Sequence, residues 1–524
     1  MNIPEEAGTN LVPGTTGAQT LPPPIGYGQI LNQKRMEVPT PFTSLDAVFV
    51  LLTFVCGYLF VWLIRPEGLG FGVTLFTFIF CGITLLYLKK RAVLIPRQSH
   101  LWLALILLSA LNFSLFSNVS LQFINLLFLM GFTVYWIAVL NATRLEKKIG
   151  NYFLPDMVNQ LFHVPFRNFG CASKIIKGTA VKNKKSKVLL ASVCGALAMI
   201  PILWVVISLL IQADEAFQIM MQQLISSVGE LFVNFLLRLL PAFLVGSYLF
   251  GLQYGNIEKR HLDSITAEKA LNYSQNCKKL PAAASITALC LLCGVYLIFF
   301  GTQAVSLFSA FSSQIPNGIT YAEYARRGFF ELCKVAFINL GVLAVSSVFT
   351  AKNNTEHKVL RSISVFLSIE TLLLITTAIS KMVLYINSYG LTQKRVYTSC
   401  FMIVLFAVFC ILIAAQFKKI NLTKGIVLVC TACFMVLCYA NVDGFIAKYN
   451  IDRYEQGTLQ TIDVNLLYYA PDASKPYALE LYEHTPNPQL KQELKKFLEG
   501  QNKNIGPFQE MNLQSLVARS LDVK

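Results

Sequence analysis

Charge is what this chain has least of. Only 14% of its 524 residues are Asp, Glu, Lys or Arg, against roughly a quarter in a soluble domain. That leaves too little polar residue to coat a soluble globule of this size. Histidine is sparse too: His100, His163, His261, His357 and His484 form no helical pair and no HExxH, which removes a common zinc-hydrolase pattern. No nucleophile elbow or nucleotide fingerprint is present, and Gly68-Leu-Gly-Phe-Gly72 lacks the strand, lysine and helix of a phosphate loop. Cysteine is missing beyond Cys438, so disulfides contribute nothing to the stability of residues 441–524. Cys290-Leu-Leu-Cys293 and Cys430-Thr-Ala-Cys433 have metal-pair spacing, but each lies in an apolar run without the second pair a zinc site needs. They read as inert buried thiols, and neither a metal nor a cofactor is expected. An early apolar core is also lacking; the first apolar run begins at Leu45, so no cleavable signal peptide is expected.

What is abundant is apolar residue, at 55% with a mean hydropathy of +0.55. It is bunched into eleven runs near 45–64, 71–88, 101–117, 119–140, 188–212, 231–252, 282–304, 328–350, 360–388, 397–416 and 424–440. Each is about as long as a helix needs to cross a hydrocarbon core, roughly 20 residues. The fold class expected is therefore all-α, a polytopic transmembrane helix bundle. Residues 1–44, rich in Pro, Gly and Thr, read as a disordered tail; 45–440 form the transmembrane domain; 441–524, punctuated by Pro471, Pro476, Pro486, Pro488 and Pro507, form a small helical module. Gly251-Leu-Gln-Tyr-Gly255 has the close-packing spacing of membrane helices.

Lysine and arginine fix the expected orientation. When alternate connections are assigned to opposite sides, twenty-seven fall on one side and five (Arg65, Arg326, Arg327, Lys394, Arg395) on the other. The positive-inside rule then places the N-terminus in the cytoplasm and the C-terminal module outside. The formal charge of +16 is thus topology and no sign of nucleic-acid binding. The longest inner connection, 141–187, starts with apolar residues broken by Pro155 and Pro165, which read as short interfacial helices. It ends with Lys174, Lys177, Lys182, Lys184, Lys185 and Lys187, which either hold anionic lipid headgroups or only fix topology. Residues 217–230, with apolar side chains at helical spacing, read as an outer segment lying along the membrane surface.

Ionisable residues inside the apolar runs mark the expected site. Tyr321, Glu323, Tyr324, Arg326 and Arg327 lead into the eighth run, where Glu331 and Lys334 follow and Glu323, Arg327, Glu331 and Lys334 share one helical face. Arg238 lies two turns into the sixth run, Glu370 near the middle of the ninth, and Lys381 toward its outer end. Charges in lipid cost about 2.5–3.5 kcal/mol each at the centre even on the lenient scale. They are therefore expected to face one another or a wet space. One reading is an outward-facing polar chamber of Arg238, Glu331, Lys334, Glu370 and Lys381, with a mouth of Tyr321, Glu323, Tyr324, Arg326, Arg327, Lys394 and Arg395. Its positive balance suits an anionic lipid or a small anionic ligand. The other reading is a set of ion pairs that only hold the bundle together.

Three stretches, Thr320–Leu332, Tyr389–Tyr397 and Asn441–Tyr454, resemble in order the marker stretches of a bacterial multi-pass membrane family, domain of unknown function 4173, a relative of the group numbered 4153. The similarity spans about 190–480. The resemblance implies a bacterial cell-membrane protein and supplies no substrate, cofactor or activity. Three function classes stay open: a carrier using the buried charges, a sensor or assembly factor binding a membrane protein partner through the C-terminal module, and an enzyme acting on a lipid-linked substrate. The carrier is the leading expectation.

Overall fold

The computed structural model describes residues 43–521 apart from 66, 147, 183, 225–229, 261, 263–264, 312–320, 352–353 and 501–505; many side chains in 177–204, 223–236 and 303–328 also lie outside the description. In chain order the helices are α1 (Ser44–Leu63), α2 (Phe71–Lys90), α3 (Gln98–Leu115), α4 (Val119–Leu140), α5 (Phe153–Val158), α6 (Val164–Arg167), α7 (Cys171–Lys182), α8 (Lys184–Ala213), α9 (Glu215–Leu224) and α10 (Glu230–Ile257). They continue with α11 (Ala267–Cys277), α12 (Ala282–Phe311), α13 (Tyr321–Phe349), α14 (Asn354–Tyr389), α15 (Gln393–Phe417), α16 (Leu422–Tyr439), α17 (Val442–Glu455), α18 (Pro471–His484), α19 (Pro488–Gly500) and α20 (Leu513–Ser520). Among the described residues nine helices, α1 to α4 and α12 to α16, contain stretches long and apolar enough to cross a membrane. Helices α8 and α10 occupy the two remaining apolar runs. The protein is an all-α polytopic bundle.

Polar side chains set where the long helices begin. Thr43 and Asp46 form a reciprocal capping box on α1, Asn118 caps α4 through Leu121 N–H at 2.8 Å, Thr392 caps α15 and Asn421 caps α16. Each satisfies a backbone donor left free by the first turn. The helices then sort into two packed groups. Helix α10 lies along α1 and takes α6 on another face, with α2, α3 and α4 completing the first group. The glycines at 251 and 255 receive α6: a Cβ at Gly251 would stand 2.4 Å from the Pro165 carbonyl oxygen. In the second group α12, α13 and α15 surround α14. Helix α16 packs on α15 and reaches back to α3, where the Asn112 amide donates to the Cys438 carbonyl at 2.7 Å.

Helices α17 to α19 and the 3₁₀ turn Val464–Tyr469 share a core of their own around Leu467, Ala478, Leu481, Leu494 and Phe497. Beyond it the chain returns to the first group. Phe508 stacks on Phe71 and Phe71 N–H donates to the Met511 carbonyl; Arg65 pairs with Glu510 at 3.6 Å. The Gln514 side chain accepts from the Ser117 amide and hydroxyl and donates to Asn441. The turns at 64–70, 115–119 and 390–392 therefore gather with the C-terminal helices at one end of the bundle, here the C-terminal face. At the opposite end Arg91 bridges Asp46 and Glu258, Asn421 donates to the Ile149 carbonyl, and Leu280 pairs with Thr350.

Candidate functional site

Helix α14 presents Leu360, Leu367, Thr371, Leu374, Ala378 and Met382 to its neighbours, the i, i+3, i+4 spacing of a packed stripe. Glu370 sits on that stripe. It is 3% exposed, and among the described residues no N–H or O–H group donates to either carboxyl oxygen; the donor beside it is the weak Cys293 thiol. Helix α13 offers the matching stripe Phe329, Leu332, Ala336, Asn339 and Leu343. Beside Glu370 a buried polar ladder crosses three helices. The Tyr296 hydroxyl on α12 donates to Asn339 Oδ1 at 2.6 Å, Asn339 Nδ2 donates to Thr371 Oγ1 at 2.9 Å, and the Thr371 hydroxyl donates to the Leu367 carbonyl at 2.7 Å. Cys293 and Tyr296 lie within electrostatic reach of the carboxyl. The ladder is satisfied within itself; among the described residues the acid beside it has no donor stronger than a thiol.

A second polar assembly caps this group at the C-terminal face. Helix α14 ends at Gly390, whose φ of +72° lies in the left-handed region, a common way to end a helix. Arg395 Nη1 donates to the carbonyls of Tyr389 and Gly390 at 2.9 and 2.5 Å, and its guanidinium lies 4.0 Å from the Tyr385 ring centroid. Asn450 on α17 pairs with Leu391 as a backbone strand would, accepting from its N–H at 2.7 Å and donating to its carbonyl at 2.9 Å. Asp443 accepts from Gln393 and from Asn118, both at 2.7 Å, while Asn118 also donates to the Tyr397 hydroxyl. Burial pushes the Asp443 carboxyl above its ordinary range, against the opposing effect of the Gln393 and Asn118 hydrogen bonds. The marker stretches Tyr389–Tyr397 and Asn441–Tyr454 thus meet in one hydrogen-bonded assembly.

The other residues singled out in the sequence are placed apart. Arg238 is half-buried on α10, in the first group, while Glu370 and Lys381 are on α14 in the second. Glu331 and Lys334 are exposed on α13, off its packed stripe, and Lys381 is half-buried. Lys394 is exposed, and Arg395 is engaged in closing α14. Lys174 is exposed on α7. The side chains of Tyr321, Glu323, Tyr324, Arg326 and Arg327, and of Lys177, Lys182, Lys184, Lys185 and Lys187, lie outside the described residues. Among the described residues no group of three or more His, Cys, Asp or Glu is placed to hold a metal. Reading the apolar runs for charge found Glu370 but passed over Tyr296, Thr371, Asn118 and Asp443. The signal for Tyr296, Thr371 and Asn118 was uncharged polar residues within or beside apolar runs; Asp443, an acid just past the last run, gave none.

No curated protein and no solved structure matches the chain. A family model does, over residues 102–480, which begins earlier than the stretch expected from the resemblance and takes in α4 and almost all of α3. The family matched is the relative rather than the group first resembled. The chain belongs to the family described as Domain of unknown function (DUF4153).

Proposed function

We propose that this integral membrane protein works in transport at the bacterial envelope, moving a small or lipid-linked anionic ligand with Glu370 as the coupling group. The observation that carries the reading is the carboxyl of Glu370, buried near the middle of α14 beside the Tyr296–Asn339–Thr371 ladder, with no donor stronger than the Cys293 thiol among the described residues. An isolated charge in such surroundings costs several kcal/mol. The group is therefore suited to hold a proton or a small cation and to release it when the helices shift and water enters. Carrying a proton with an anion lowers the charge that must cross the hydrocarbon. Helix α14 is also long: its 36 residues span about 54 Å at 1.5 Å each, well beyond a core of about 30 Å. It reaches from the carboxyl to the assembly at the C-terminal face. We take the N-terminus as cytoplasmic and that face as external, from the lysine and arginine distribution.

The test is labelling with dicyclohexylcarbodiimide, which adds to protonated carboxyls in apolar surroundings, on the full chain in native membranes, read by mass spectrometry. Glu370 is expected to take the label, more so as pH falls, and Glu370→Gln to lose it. Native mass spectrometry of gently purified protein is expected to show an anionic lipid or small anion whose retention changes in Glu370→Gln and in Lys381→Met. A Glu370 that stays unlabelled at every pH while the protein remains folded would sink the coupling role. A protein partner retained equally by all three forms would favour sensing or assembly.

A further inference from the structure

Where α17 meets the 3₁₀ turn that follows it, the C-terminal face contains a cavity of about 270 Å³. That is close to the lower end of pockets that hold small ligands, roughly 300–1,000 Å³. Ile446 and Ala447 of α17 and Leu466 and Leu467 of the turn form apolar wall, while Asp443, Asp463 and Lys394 are its charged lining. Asp443 is 6% exposed and its hydrogen-bond partners, Gln393 and Asn118, are neutral amides. Among the described residues it has no ion pair. Each of its oxygens takes one of those hydrogen bonds and retains capacity for another. Asp463 is exposed and turned to Asn465, accepting from its amide N–H and its side chain at 3.0 Å. Lys394 is exposed. The enclosed part of the cavity therefore combines apolar wall with a buried carboxyl that has neutral donors and no counter-charge.

We propose that this cavity binds a small amphipathic organic cation, its ammonium group on Asp443 and its apolar body against Ile446, Ala447 and Leu466. A charge-assisted hydrogen bond to a carboxylate is roughly twice as strong as a neutral one, and a cation supplies the charge that the amides cannot. Binding there joins α17 and the following turn to the α14–α15 connection through Gln393. The inference rests on the cavity and Asp443, independently of the role given to Glu370.

The experiment is calorimetric titration of the full chain in lipid nanodiscs with phenethylammonium, beside the anion phenylpropionate, which has a similar apolar body. The cation is expected to bind saturably and the anion not to bind. Asp443→Asn is expected to weaken the cation about tenfold or more. Leu466→Trp, which fills the cavity and leaves the carboxyl in place, is expected to abolish binding; it carries the test alone if Asp443→Asn does not fold. Glu370→Gln is expected to bind like wild type. The proposal is overturned by no saturable binding to wild type, by equal binding of the anion, by unchanged affinity in Asp443→Asn, or by binding that survives Leu466→Trp.

Discussion

Asp156, in the first turn of α5, receives the Leu145 N–H on both carboxyl oxygens, at 3.0 and 3.2 Å. Burial pushes its carboxyl up to about 6 from 3.8, with the Leu145 hydrogen bond and Arg144 opposing. Between those two values the folded chain binds more protons than the unfolded one, so the group's contribution to stability falls as pH rises through that window and levels off above it. Thermal unfolding in detergent is expected to show this: the difference between wild type and Asp156→Asn should shrink from pH 4 toward pH 6 and then stay flat. A difference that grows across the window would mean that the carboxylate is favoured in the fold. Glu370 was legible in the sequence because an acid amid apolar residues has few places to go. Asp443 was not, because it follows the last apolar run, where an acid is ordinary; its burial comes from Asn118 and Gln393, distant in sequence.

The connection between α14 and α15 shows how an element constrains its residues. A side chain at 390 meets two obstacles at once: the positive φ and the Asn450 Oδ1 atom, which a Cβ would approach to 2.4 Å. Gly390→Ala is expected to destabilise the protein by about 2 kcal/mol, seen as a lower melting temperature in detergent. An unchanged melting temperature would show that the turn can relax without Asn450. Arg395 belongs to the same element. It was expected at the mouth of a chamber, and the structure has it donating to the last carbonyls of α14, groups that every helix end leaves in need of donors. The sequence marked this stretch as special. It could not say that the arginine's nearest acceptors would be backbone.

For the whole molecule, the helix content and nearly all the long helices were readable from apolar runs, since length and hydrophobicity are local properties. Which helices become neighbours was not, because lipid-facing and helix-facing surfaces are equally apolar. Thus α10 was expected beside α13 and α14 but lies along α1. Among the ties between the C-terminal segment and the rest of the protein, Gln514 makes three hydrogen bonds to two residues, Ser117 and Asn441. Gln514→Ala, which removes the bonds to Ser117 and Asn441, is expected to lower stability by about 2 kcal/mol. Hydrogen exchange should quicken in 508–520 and stay slow in α14. If both regions quicken together, the C-terminal tie is part of the bundle's cooperative core rather than a separately opening unit.

Gln514 and Ser117 are 397 residues apart in the chain. At roughly 5–20 residues per second, the turn between α3 and α4 leaves the ribosome about 20–80 s before its partner is made. Through that interval the turn at Ser117 has to be tolerated in the membrane without its final contact. A nascent chain halted before residue 508 should still expose this turn to a reactive probe, so its accessibility would report how far synthesis had run.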